Sequence, residues 1–145
     1  MAFETIPQRV LGHAQRLGSA PAYYVRGASG WEATSWKAYA AEVRRAGTAL
    51  MALGVEPGQP VCILGANRPE WVIFDVAAMA TRAVPAGIYT TSSPPECAYI
   101  LNHSEATILL VENEAQWQKI ASGRDQLPHL RHVVMMRDGG AVDDP

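Results

Sequence analysis

A chain of 145 residues, 48% hydrophobic and 18% charged, has the size and composition of one globular domain with a buried core. Its 12 basic and 14 acidic residues are mixed along the sequence for a net charge of −2, which excludes a dedicated nucleic-acid surface or a polybasic membrane anchor. The longest apolar run, residues 71–80, is broken by Asp75 and falls far short of the roughly 20 residues that span a bilayer. Cys62 and Cys97, with no secretory apolar segment after Met1, read as buried thiols of a reducing compartment, so the cytoplasm is the expected location. His13, His103, His129 and His132 are scattered without the spacing of metal ligands, and no metal is expected.

In chain order, Thr5 and Gln8 form a capping box, and Ile6, Val10, Ala14 and Leu17 recur at helical spacing until Gly18 and Pro21. Residues 22–26 and 31–34, rich in Tyr, Trp and Val, predict a hairpin whose loop, residues 27–30, uses its glycines for positive φ. Ser35 caps a helix carrying Trp36, Tyr39, Val43, Ala46, Leu50 and Leu53 on one face. Gly54 ends that helix in a Schellman turn that folds Val55 back on Leu50.

Residues 60–96 form the organising unit. After a Pro57-Gly58 turn, residues 61–64 and 84–89 are continuous apolar runs, expected to be strands buried on two faces. Between them lies an apolar helix, with Asn67 expected as its N-cap, Glu70 completing a capping box and Pro69 in the first turn. Arg68, Asp75 and Arg82, spaced by seven, make its polar stripe, and Asp75 is expected to serve the arginines or a neighbouring backbone.

Ser93 and Glu96 box the start of a helix running through Tyr99, Ile100 and His103. A strand follows at residues 107–111, a helix at 114–122, and a short strand at 132–136 after Pro128. The fold expected is α/β: a partial doubly wound, mostly parallel sheet with flanking helices, preceded by a helix and a β-hairpin. Residues 138–145 read as a loop or truncated tail.

In such a sheet ligands bind beyond the carboxyl ends of the strands, which singles out two loops, residues 65–67 and 89–93. Both precede helix N-termini, where free N–H groups and the helix dipole attract anions. The first has one glycine where a dinucleotide fingerprint has three, and the second has neither glycine nor lysine, so capped turns are the first expectation for both, with cofactor binding as the alternative at the first and Thr90, Thr91 or Ser92 lining a cleft as the alternative at the second. Glu112 and Glu114 flank a strand end and need only solvent. No Ser/His/Asp or Cys/His set stands out, and the candidate catalytic, cofactor-binding and metal residues are none.

The runs NRPEW (67–71), AVPAGIYTTSSPPE (83–96) and YILNHSEATILLVE (99–112) closely resemble the N-terminal region of long-chain fatty acid CoA ligases of the adenylate-forming superfamily. TSWKAYAAEV (34–43) and MATRAVPAGIY (79–89) resemble the first and second core motifs of that family. The likeness covers nearly the whole chain and departs at Arg82, where relatives usually carry glycine. It implies a two-step reaction in which ATP and a long-chain fatty acid give acyl-adenylate and pyrophosphate, after which the CoA thiol displaces AMP; Mg²⁺ accompanies ATP. The phosphate loop, the Tyr-Gly-x-Thr-Glu element, the ribose-binding Asp, the hinge and the catalytic Lys of that family have no counterpart here, so no catalytic residue carries over.

Residues 1–145 are therefore expected to be the N-terminal portion of the large domain, inactive alone, with a scaffold-derived regulatory module pairing with a full-length ligase as the alternative. With few helices for four strands, the apolar strands 61–64, 84–88 and 107–111 are expected to be partly uncovered, leading to self-association or to a partner chain that completes the domain.

Overall fold

The computed structural model describes residues 4–141. Helix α1 (Ile6–Leu17) starts at the expected box: the Thr5 hydroxyl oxygen accepts from the Gln8 N–H, and Gln8 Oε1 accepts from the Thr5 N–H at 2.8 Å. Strands β1 (Pro21–Gly27) and β2 (Gly30–Ser35) form the antiparallel hairpin. Gly27 pairs with Gly30, so the loop is only Ala28-Ser29, and of the two glycines only Gly30 uses positive φ. Both glycines belong to the ladder rather than to the turn, which shortens the expected four-residue loop by two.

Ser35 Oγ accepts from the Ala38 N–H and opens α2 (Trp36–Ala52). The helix closes as a Schellman turn, with Gly54 N–H on the Met51 carbonyl, Val55 N–H on the Leu50 carbonyl, and Gly54 at φ 82°. Then come β3 (Pro60–Leu64), α3 (Pro69–Ala80), β4 (Val84–Ile88), α4 (Pro94–Ser104), β5 (Ile108–Val111), α5 (Glu114–Ala121), a 3₁₀ turn at Arg124–Gln126 and β6 (His132–Met135).

The four later strands form one parallel sheet in the order β4-β3-β5-β6, with Cys62 level with Ala86 on one side and with Leu109 on the other. Alternation along each strand divides the core into two layers. Val61, Ile63, Ile108 and Leu110 face α1, α2 and α3 through Val10, Tyr39, Val43, Leu50 and Phe74. Cys62, Leu64, Leu109 and Val111 face α4 and α5 through Cys97, Leu101, Trp117 and Ile120.

Three expectations about burial and capping change. First, β3 and β5 are sealed on both faces, every residue from Val61 to Leu64 being fully buried, so these strands are not the uncovered surface expected. Five helices suffice because only two of the four strands are central. Second, β4 is an edge strand rather than one buried on two faces: Val84 is 54% and Tyr89 83% exposed. Third, the N-cap of α3 is Arg68, with no side-chain cap bond, and Glu70 pairs with Arg68 instead of reaching back to Asn67. Pro69 at the first helical position fixes the helix start one residue later than the Asn67 box requires.

The departure at Arg82 has a structural meaning. Helix α3 ends in the same two-bond turn as α2, with Arg82 N–H on the Met79 carbonyl and Ala83 N–H on the Ala78 carbonyl, which puts Arg82 at φ 66°. Helix α4 repeats it with Glu105 at φ 56°. Arginine and glutamate thus occupy left-handed positions that favour glycine.

Candidate functional site at the carboxyl ends of the strands

Helix α3 crosses from β3 to β4 on one face, while α4 and α5 cross toward β5 and β6 on the other. The direction of winding therefore reverses between β3 and β5, and the crevice at that reversal is where an open α/β sheet receives a ligand. Here the chain fills it. Glu112, at the end of β5, accepts the Ala66 N–H on Oε2 at 2.8 Å, so a protein carboxylate already occupies the anion position of the residue 65–67 loop. Met136 closes the same spot, since a Cβ on Gly65 would lie 2.7 Å from its Cε. Glu112 is thus a bridge between two loops rather than a merely solvated residue.

The second loop, residues 89–93, lies beside the first. Between them is a depression of about 420 Å³, lined by Gly65, Asn67, Trp71, Gly87 and Thr90. Trp71 reaches it from α3 and packs on the edge strand, with a Cβ on Gly87 placed 3.0 Å from the indole. The loop has no lysine of its own, yet Lys119 of α5 spans to it and donates to the Thr90 and Ser92 carbonyls at 2.5 and 3.0 Å. That ammonium fixes the loop backbone; its hydrogen bonds are aimed at carbonyl oxygens.

The N-terminus of α4 is also satisfied from within. Glu96 Oε2 accepts the Ser93 N–H at 2.7 Å and the Ser93 hydroxyl at 2.8 Å, and these two bonds hold its carboxyl below the usual range. Burial pushes the Cys62 and Cys97 thiols up, with the nearby Lys119 charge partly opposing this for Cys97, so neither is an activated nucleophile. His13 sits edge-on to Trp36 and His103 stacks on Tyr99, and no group of three His, Cys, Asp or Glu among the described residues is placed to hold a metal ion.

Asp75 does not serve the arginines as expected. Arg68 pairs with Glu70 and donates to the Arg137 carbonyl, while Arg82 has left the helix. Burial alone raises the Asp75 pKa; burial also raises that of Tyr39, with Tyr23 and then Asp75 adding to it. A raised folded-state pKa means that the ionised form destabilises the fold, so stability falls as pH rises through that pKa. Asp75→Asn should therefore melt higher than the parent at pH 7, and the difference should shrink toward zero as pH falls below about 3.9, the ordinary Asp value. A constant difference across thermal melts from pH 3 to 7 would reject the burial argument.

Sequence reading missed Glu112 and Lys119 because both act across long separations: Glu112 meets Ala66 only once β3 and β5 are paired in register.

The family described as AMP-binding enzyme matches residues 12–144. Long-chain-fatty-acid–CoA ligase ACSBG2 of Xenopus laevis is 42% identical over 108 residues, 74% of this chain and 15% of that protein. The Homo sapiens ACSBG2 ligase is 36% identical over 134 residues, 92% of this chain and 20% of its own length. Among solved structures, an anthranilate CoA ligase, AuaEII, in complex with anthranoyl-AMP superposes with a TM-score of 0.82 and 26% identity over 94% of this chain and 26% of that one. The N-terminal domain of FACL13 from Mycobacterium tuberculosis gives 0.84 over 98% of this chain and 38% of that domain's chain, at 20% identity, which shows a shared fold. This chain spans only about a fifth or less of the long-chain ligases it matches. With its fold, its near-complete family match and its identity to these ligases in agreement, the chain belongs to the AMP-binding enzyme family and corresponds to the N-terminal region of acyl-CoA ligases.

Proposed function

We propose that residues 1–145 form the N-terminal scaffold of the large domain of a long-chain fatty acid CoA ligase. In this reading, segments outside these residues join fatty acid and ATP to give acyl-adenylate and pyrophosphate, then pass the acyl group to the CoA thiol with release of AMP. The observation that carries it is the match itself: 74 to 92% of this chain aligns with long-chain ligases while spanning 15 to 20% of them. Its two buried free cysteines support a reducing, cytoplasmic setting.

The residues described do not fit ATP or Mg²⁺. The Ala66 N–H is bound to Glu112, the start of α4 to Glu96, and the Lys119 ammonium to two carbonyls. Adenylation needs positioned donors and cations on the developing phosphoryl charge, and loss of a single such donor typically costs on the order of 10²- to 10³-fold. The purified chain should therefore give no fatty-acid-dependent exchange of pyrophosphate into ATP above a heat-inactivated sample. Exchange above that background would overturn the scaffold reading.

A further inference from the structure

We propose that Asp138 is a site of spontaneous isoaspartate formation, built into the turn that follows β6. The inference stands apart from the scaffold reading and needs no ligase activity. The sequence holds a single Asp-Gly step, Asp138-Gly139, and no Asn-Gly step. Such a step is reactive because no Cβ on the glycine screens its nitrogen from the aspartate carboxyl.

The turn itself is strained. The Gly139 N–H donates to the Met136 carbonyl at 3.0 Å, and Asp138 stands third in the turn at φ 62°, while Arg137 before it keeps negative φ. Those signs are the ones of a type II turn, whose third position normally takes glycine or asparagine. Aspartate there strains the backbone, so the hydrogen bond that closes the turn opens locally at low cost.

The fold also dictates the residue that makes the step labile. A Cβ on Gly139 would lie 2.6 Å from the Glu112 carbonyl oxygen and 2.9 Å from that of Met136, so no side chain fits. The packing that holds this turn against the end of β5 therefore leaves the Gly139 nitrogen unscreened. Asp138 is exposed, on the wall of a cavity of about 600 Å³ shared with Arg68, Glu70 and Arg137, which gives its carboxyl room to swing. Among the described residues no ion pair holds that carboxylate. The other described aspartates differ: Asp75 is held inside α3 before Val76, and Asp125 precedes Gln126, so a Cβ hinders both steps.

The chemistry needs nothing beyond water. When the turn opens, the Gly139 nitrogen attacks Cγ of the protonated Asp138 carboxyl. The Cγ–N bond forms, the amide proton and the carboxyl hydroxyl leave as water, and a succinimide ring results. Water then adds to one of the two ring carbonyls. Cleavage between the nitrogen and the original main-chain carbonyl carbon gives isoaspartate, with the chain running through Cγ and the α-carboxyl free; cleavage of the Cγ–N bond restores aspartate. No atom is oxidised or reduced. The free α-carboxyl is the group that isoaspartyl methyltransferases esterify with S-adenosylmethionine.

The test is incubation of the purified 145-residue chain at mildly acidic pH and physiological temperature for several weeks, with circular dichroism to follow the fold. An isoaspartyl methyltransferase with labelled S-adenosylmethionine then counts the product, and peptide mapping with electron-transfer fragmentation locates it. Conversion at residue 138 should exceed that at every other aspartate at least about tenfold. Asp138→Gly should remove most of the methyl acceptance, whereas Asp138→Asn should form the product faster, with ammonia leaving in place of water. Should the chain lose its fold during the long incubation, a short incubation of folded Asp138→Asn decides. Absence of product at residue 138, equal conversion at the other aspartates, or undiminished acceptance in Asp138→Gly overturns the proposal.

Discussion

Leu109→Ala is expected to cost about 3 kcal/mol of stability, within the 2 to 5 kcal/mol typical of buried Leu→Ala changes. Leu109 is fully buried at the centre of the sheet, between Cys62 on one neighbouring strand and Val133 on the other, with the α4 and α5 layer packed on top. Its removal opens a cavity that rigid neighbours on three sides cannot close. Val84→Ala provides the contrast, since Val84 is 54% exposed on the edge strand and should cost under about 1 kcal/mol. For a domain of this size the first change should lower the melting temperature by roughly 6 to 12 °C. Equal shifts for the two variants would show that the central strand is not the stability centre that its burial makes it.

Arg82→Gly and Glu105→Gly should each stabilise the chain, by about 0.5 to 1 kcal/mol. A non-glycine residue in the left-handed region costs roughly 1 to 2 kcal/mol, and part of the gain from glycine is lost to the greater freedom of the unfolded chain. Both positions are the penultimate link of a Schellman turn whose two bonds are made by backbone alone, so neither side chain is needed to hold the turn. The double variant should approach the sum. The same substitution at Asn102, inside α4, is the contrast: it removes helix propensity and the Asn102 Nδ2 hydrogen bond to the Gln126 carbonyl, and should destabilise by about 1 kcal/mol or more. Stability measured by urea unfolding that falls with Arg82→Gly would mean that the arginine makes a compensating contact that outweighs its backbone strain.

The two left-handed positions also show how legible the chain was. The likeness to relatives marked Arg82 as a departure, but the reason, a positive φ in a helix-ending turn, came from the backbone. Glu105 carried no comparable sign in its sequence. Local signals were otherwise reliable where one short stretch contains all the atoms involved, as with Thr5 and Gln8, Ser35 and Ala38, Gly54 and Val55, or Ser93 and Glu96. The Asn67 box failed because two starts one residue apart competed, and Pro69 favoured the later one.

The sequence by itself determined the order of helices and strands, the parallel sheet, the hairpin and the family, because apolar periodicity, caps and motif runs are properties of neighbouring residues. Only the tertiary structure decided which strands are central and which are edges. An apolar run reads the same in β3, sealed on both faces, and in β4, open on one side. It alone decided the state of the candidate site, where Glu112 reaches Ala66 across 46 residues and Lys119 reaches Thr90 across 29. Strand pairing brings such groups together, and their hydrogen bonds leave no trace in local composition.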